Sequence, residues 1–181
     1  MEASSATYWW IGSARRRSSS KHVVIVFAGP PCAGKSTIAA EVARRLGLPH
    51  LSMDATRQRL LPGAAHTRAD RAVAYRAMQF AAELLHGAGA GVVLDAPYGH
   101  SEDRDAVREL RPFWIECRVS PETAVQRFRE RGPDPIRLDL TGDLVRTMVS
   151  EYRYTGDGLT LDTELLSLEE CVTRAVQWIS P

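Results

Sequence analysis

The stretch FAGPPCAGKST, Phe27 to Thr37, decides how this chain is read. Gly29 to Ser36 fit the template G-x-x-x-x-G-K-[ST]. In that template, glycines let successive backbone N–H groups wrap a phosphate, and the following helix aims its N-terminus at the same charge. Lys35 is then placed to neutralise β- and γ-phosphate charge, and the Ser36 hydroxyl to ligate Mg²⁺. The template carries weight only between a buried strand and a helix. His22 to Gly29, HVVIVFAG, is a β-branched apolar run of the kind buried in parallel sheets, and Ser36 to Leu46 reads as a helix ended by Gly47 and Pro49. Gly29, Cys32, Ala33, Gly34, Lys35, Ser36 and Thr37 are therefore the expected ATP contacts, with ATP and Mg²⁺ as cofactors. Cys32 reads as a small space-filler in the loop and not as a nucleophile.

Outward from the loop, strands alternate with helices. PHLSMD reads as a second strand, Thr67 to about His86 as an amphipathic helix, VVLDAP (Val92 to Pro97) as a buried strand, and DRDAVREL as helical. FWIECRVS is a strand, and PETAVQRFRERG is a helix with proline at its first position and glycine past its last. LTLDT is a short late strand, and SLEECVTRAVQWI is a closing helix with a capping box from Ser167 to Glu170. This alternation predicts a three-layer α/β domain with a mostly parallel sheet. Residues 22–181 form one domain in this reading, preceded by a flexible Ser/Arg-rich arm at 1–21. Gly132 to Gly158 lacks a clear apolar period and is expected to be a mobile lid.

Composition sets limits. The formal charge of +1 argues against extensive binding to a nucleic-acid backbone. Lys21 and Lys35 are the only lysines, so Lys35 stands out in a chain whose other cations are arginines. The three cysteines, Cys32, Cys117 and Cys171, show neither a metal spacing nor a disulfide framework and point to a reducing cytoplasm. No apolar run approaches the roughly 20 residues that span a bilayer, so no membrane partner is expected.

The second substrate must meet the phosphate at the carboxyl edge of the sheet. Asp54 is expected there, at the end of the second strand, to orient or deprotonate a hydroxyl; Arg57 is placed to hold an anionic group through its planar fork. Asp95, ending VVLD, would hold Mg²⁺ directly or through water, or else face the acceptor. Arg104 either reaches the acceptor pocket or decorates a helix. His66 and His100 lie in polar loops without metal-ligand spacing and read as surface histidines. Arg127 and Arg131 fall four apart on one helical face, with Arg129 elsewhere; at the edge of a lid, Arg127 is the preferred candidate to stabilise the transferring phosphoryl group. Arg137 is a further lid candidate.

These pieces resemble the P-loop small-molecule kinases, the group that includes adenylylsulfate kinase, chloramphenicol phosphotransferase and zeta-toxin-like enzymes. Adenylylsulfate kinase is the most similar pattern, over about His22 to Ile179. The matches are GKST, DATRQRL, SEDRDAVREL, QRFRERG and LTLDTELLSLEECV. The resemblance implies that Arg127 and the region of Thr163 border the adenine, and that Asp54 and Arg57 face the acceptor. The departures fall on the acceptor side. Ser52-Met53-Asp54-Ala55 replaces that family's D-G-D-N, Asp95 stands where a serine is usual, and Leu140 in LDLTG stands where an aromatic stacks on the acceptor's adenine. The expected activity is therefore transfer of the ATP γ-phosphate to a hydroxyl of an altered small molecule: an antibiotic, sugar, nucleoside or other secondary metabolite. A genuine adenylylsulfate kinase is the alternative within the class. A non-catalytic nucleotide-gated regulator and a polynucleotide kinase using the ARRR arm are the readings outside it, and a homodimer stays open.

Overall fold

A computed structural model of the chain describes residues 22–64, 67–132 and 139–180. The expected N-terminal arm, His66 and Arg137 lie outside the described residues. The sheet holds β1 (Val24–Ala28), β2 (His50–Ser52), β3 (Val92–Asp95), β4 (Phe113–Arg118) and β5 (Leu159–Asp162), in the order β2-β3-β1-β4-β5 with every pairing parallel. Its helices are α1 (Lys35–Leu46), α2 (Met53–Leu60), α3 (Arg68–Gly87), α4 (Ser101–Asp105), α5 (Pro121–Arg131), α6 (Gly142–Ser150) and α7 (Leu168–Ile179).

All five residues of β1 are buried, because both faces of the central strand are covered. Ile25 and Phe27 pack with α1, α5, α6 and α7; Val24, Val26 and Ala28 pack on the other face with α2 and α3. The β-branched run thus reports burial on two sides, and the three-layer α/β expectation holds. The helix ends follow local chemistry. Thr67 caps α3 and Ser167 caps α7 in reciprocal capping boxes with Asp70 and Glu170, and Pro121 opens α5.

Three elements differ from the sequence reading. β2 stops at Ser52, and Asp54 falls in the first turn of α2, where the helix N-terminus favours a carboxylate. DRDAVREL is not one helix: α4 ends at Asp105, a 3₁₀ turn spans Arg108–Leu110, and Val107 enters the core between them. Part of the expected lid, Gly142 to Ser150, is the regular helix α6. Thr141 caps it by accepting the Leu144 N–H, while Val145 and Val149 are buried against the α5 side. The apolar residues Leu144, Val145, Met148 and Val149 recur at helical spacing, so the period is present but too short to stand out.

Candidate active site

The glycine loop leaves β1 at the point where the strand order turns outward in both directions. A Cβ on Gly29 (φ +150°) would come within 2.7 Å of the Cys117 carbonyl oxygen, and the Gly29 N–H donates to Pro97 O at 3.2 Å. Only glycine lets the chain pass between the ends of β3 and β4 here. Cys32 (φ 60°) and Gly34 (φ 78°) then turn the chain into α1. Gly34 occupies the cap position with no side chain to take an N–H, and the first turn of α1 holds no acidic residue. Its dipole and N–H groups face a cleft of about 230 Å³ walled by Lys35, Ser36, Thr37 and Asp54 among others. Cys32 also lines this cleft.

Asp95 ends β3, paired in register with Phe27 of β1 and Ser52 of β2. It is 2% exposed, and neither carboxylate oxygen has a hydrogen-bond partner. His50 Nε2 lies 3.7 Å from Oδ2. Burial pushes its pKa up, but His50, the Lys35 ammonium and the Ser36 hydroxyl together hold it below the ordinary carboxylate range. A buried, ionised and unsatisfied carboxylate beside Ser36 is the donor set that fits Mg²⁺, which binds through one or two carboxylates with water and substrate phosphate completing its shell. Asp54 meets the same edge from α2; its Oδ1 is likewise buried without a partner, and the residue walls the cleft.

The arginines divide in a way that sequence spacing did not show. Arg127 and Thr163 do meet: Nη1 donates to Thr163 Oγ1 at 2.9 Å and to Cys32 O at 3.3 Å, and Nη2 to Thr163 O at 2.5 Å. The guanidinium clamps the glycine loop to the chain beyond β5. Arg127 also lines the cleft, and Arg131, one turn on in α5, stands beside it in the same wall. Arg57 is 3% exposed and lines neither of the two cavities.

A second cavity of about 210 Å³ adjoins the cleft through Pro31, Arg71, Pro97 and Met148. Arg68, Tyr75, His100, Asp103 and Tyr152 are among its other lining residues, with Arg68 paired to Asp103 at 3.2 Å. His100, read as a surface residue, is exposed yet forms part of this wall. Arg104 does not. It donates to Glu116 Oε1 at 2.7 Å, Tyr98 O at 2.7 Å and Thr155 Oγ1 at 3.0 Å, neither of the two places the sequence reading offered it. Its neighbour Asp103 takes the cavity-facing place. Arg71 was missed by the sequence reading, although Arg68, Arg71 and Tyr75 recur at i, i+3 and i+7 on one face of α3.

Comparison with known proteins agrees with this geometry. The family model described as an AAA domain, AAA_33, matches residues 24–154. The uncharacterized protein Rv2004c of Mycobacterium tuberculosis is 33% identical over 151 residues, covering 75% of this chain; the chain spans only 30% of that relative's length. Two solved structures share the fold. A gluconokinase from Sinorhizobium meliloti has a TM-score of 0.68 at 21% identity, covering 88% of this chain and 93% of its own. The Mycobacterium tuberculosis APS kinase CysC, in complex with AMPPNP and APS, has a TM-score of 0.70 at 22% identity, covering 89% and 99%. The glycine loop leaves the central strand of a β2-β3-β1-β4-β5 parallel sheet, with Asp95 ending the neighbouring β3; the chain has a P-loop kinase fold and belongs to the AAA_33 family.

Proposed function

We propose that the chain transfers the γ-phosphate of ATP to a hydroxyl group of a small molecule held in the second cavity. The observation that carries this reading is the set of three buried, unpartnered acid oxygens, Asp54 Oδ1 and both of Asp95, beside a glycine loop whose cleft adjoins that cavity. The α1 N-terminus and Lys35 hold the β- and γ-phosphates. Ser36 and, through water, Asp95 would hold Mg²⁺, which spreads the charge of the transferring group. Asp54 Oδ1 accepts the acceptor's hydroxyl proton as its oxygen bonds to Pγ and the bond from Pγ to the bridging oxygen breaks, releasing ADP. Arg131 and Arg71 flank the transferring group from opposite helices.

An acceptor other than adenylylsulfate is favoured by Leu140. It is 8% exposed, packed in the core with Val125 and Val145, and it walls the ATP cleft and not the second cavity. It therefore offers no aromatic face to an adenine there. The test is ADP release with adenylylsulfate, with gluconate, and with a panel of hydroxylated sugars, nucleosides and antibiotics. Release stimulated by a panel member and not by adenylylsulfate supports the reading; stimulation by adenylylsulfate alone makes the chain an adenylylsulfate kinase.

A further inference from the structure

We propose that Arg104 and Glu116 form a strut that fixes Tyr152 to Gly156 as a standing wall of the second cavity, making Arg104 a positioning residue for the acceptor. The inference rests on the kinase reading only for what fills the cavity.

Glu116 is 0% exposed on β4, an inner strand where a carboxylate persists only with partners of complementary charge. Its Oε1 accepts from Arg104 Nη2 at 2.7 Å and from the N–H and hydroxyl of Thr155 at 3.0 and 3.1 Å; Oε2 accepts the Gly156 N–H at 3.0 Å. Arg104 adds its bond to the Thr155 hydroxyl and stacks on Trp114, 4.8 Å from the ring centre. The segment is pressed onto β4: Gly156 needs φ +74°, and a Cβ on Gly158 would collide with the Trp114 carbonyl.

What the strut holds is the wall. Tyr152 and Arg153 line the second cavity three and two residues before Thr155. The Tyr152 hydroxyl donates to Pro97 O at 2.6 Å, the same carbonyl that receives the Gly29 N–H of the phosphate loop. On the other side, Arg104 Nε holds the carbonyl of Tyr98, a residue at φ 47° whose N–H donates to the Tyr75 hydroxyl at 3.0 Å. One guanidinium therefore sets the Pro97-Tyr98 corner and the returning segment together. The Tyr75 phenol, which accepts from the Tyr98 N–H, keeps its own O–H donor at a fixed position in the cavity wall, suited to a hydroxylated ligand. The consequence is that the part of the expected lid at 152–158 does not close over the acceptor; it is in place beforehand.

The test compares Arg104→Lys and Thr155→Val in the full chain. Thr155 is exposed, so its variant keeps the buried pair and remains informative should Arg104→Lys fail to fold. Amide exchange at Tyr152–Gly156 is expected to rise about tenfold without ligand while β1 and α1 stay protected. The KM for the panel acceptor that supports ADP release should rise about tenfold, with kcat and AMPPNP affinity changing less than about threefold. Unchanged exchange in both variants overturns the strut. Faster exchange with an unchanged acceptor KM reduces it to a folding contact and leaves the kinase reading intact. Failure of every acceptor with the unaltered chain sinks the kinase reading and the acceptor role, while the exchange result still decides the strut.

Discussion

Asp54, Asp95 and Glu116 show how much depends on where a single carboxylate finds its partners. Glu116 has four hydrogen bonds and Asp95 has none, yet both are buried and both stay ionised. For Glu116, burial raises the pKa, and the Thr155 and Gly156 N–H groups with Arg104 outweigh it and lower it. A folded-state pKa below the unfolded one adds stability above the ordinary glutamate range, and that stability is lost as pH falls through the folded value. The melting temperature of the unaltered chain should therefore drop below about pH 4, and Glu116→Gln should flatten that acid limb while lowering stability at neutral pH; parallel curves for the two proteins would contradict this. Asp54 carries the proposed proton transfer. Asp54→Asn should bind AMPPNP as before and lose roughly 100-fold or more in turnover, measured as ADP release.

At the scale of elements, the loop between β1 and α1 and the helix α6 carry the sharpest expectations. Gly29→Ala adds a Cβ 2.7 Å from the Cys117 carbonyl at a φ that L side chains rarely adopt. It should cost about 1–3 kcal/mol in chemical denaturation and weaken AMPPNP binding in parallel, because the same shift moves the phosphate cradle. Val149→Ala on α6 should cost about 2 kcal/mol, the loss of two buried methyl groups and a small cavity; a free lid helix would show almost no loss. Elements bounded by strong local chemistry were readable beforehand: β1 from its β-branched run, α5 from Pro121 and Gly132, α7 from its capping box. Those set by distant contacts were not. Asp54 moved from strand to helix because β2 pairs only as far as Ser52, and DRDAVREL broke because Arg104 is drawn to Glu116 while Val107 turns into the core.

Across the whole molecule, the five-stranded parallel sheet gathers groups scattered from Gly29 to Thr163 at one edge. The nucleotide end was legible because one contiguous motif carries it. The acceptor end was legible only in outline. Arg71 comes to the cavity wall only because α3 borders it, and Arg57 and Arg104 are held inside the fold by contacts that residue type alone does not announce. A saturating nucleotide tests the assembled site globally. AMPPNP with Mg²⁺ at about 100 times its Kd should stabilise the chain by about 2.7 kcal/mol, a rise of about 5–10 °C in melting temperature. Asp95→Asn should remove most of the Mg²⁺-dependent part of that rise; an undiminished shift would take Asp95 out of the metal's shell.

The proposed transfer runs from ATP, bound in this cleft, to a small-molecule hydroxyl. Its most direct test is to follow γ-labelled ATP with Mg²⁺ and the acceptor panel, in the unaltered chain and in Asp54→Asn. The account predicts label on an acceptor with the unaltered chain and almost none with the variant, although both bind AMPPNP. ATP bound but no label on any acceptor, or undiminished transfer by Asp54→Asn, would contradict it.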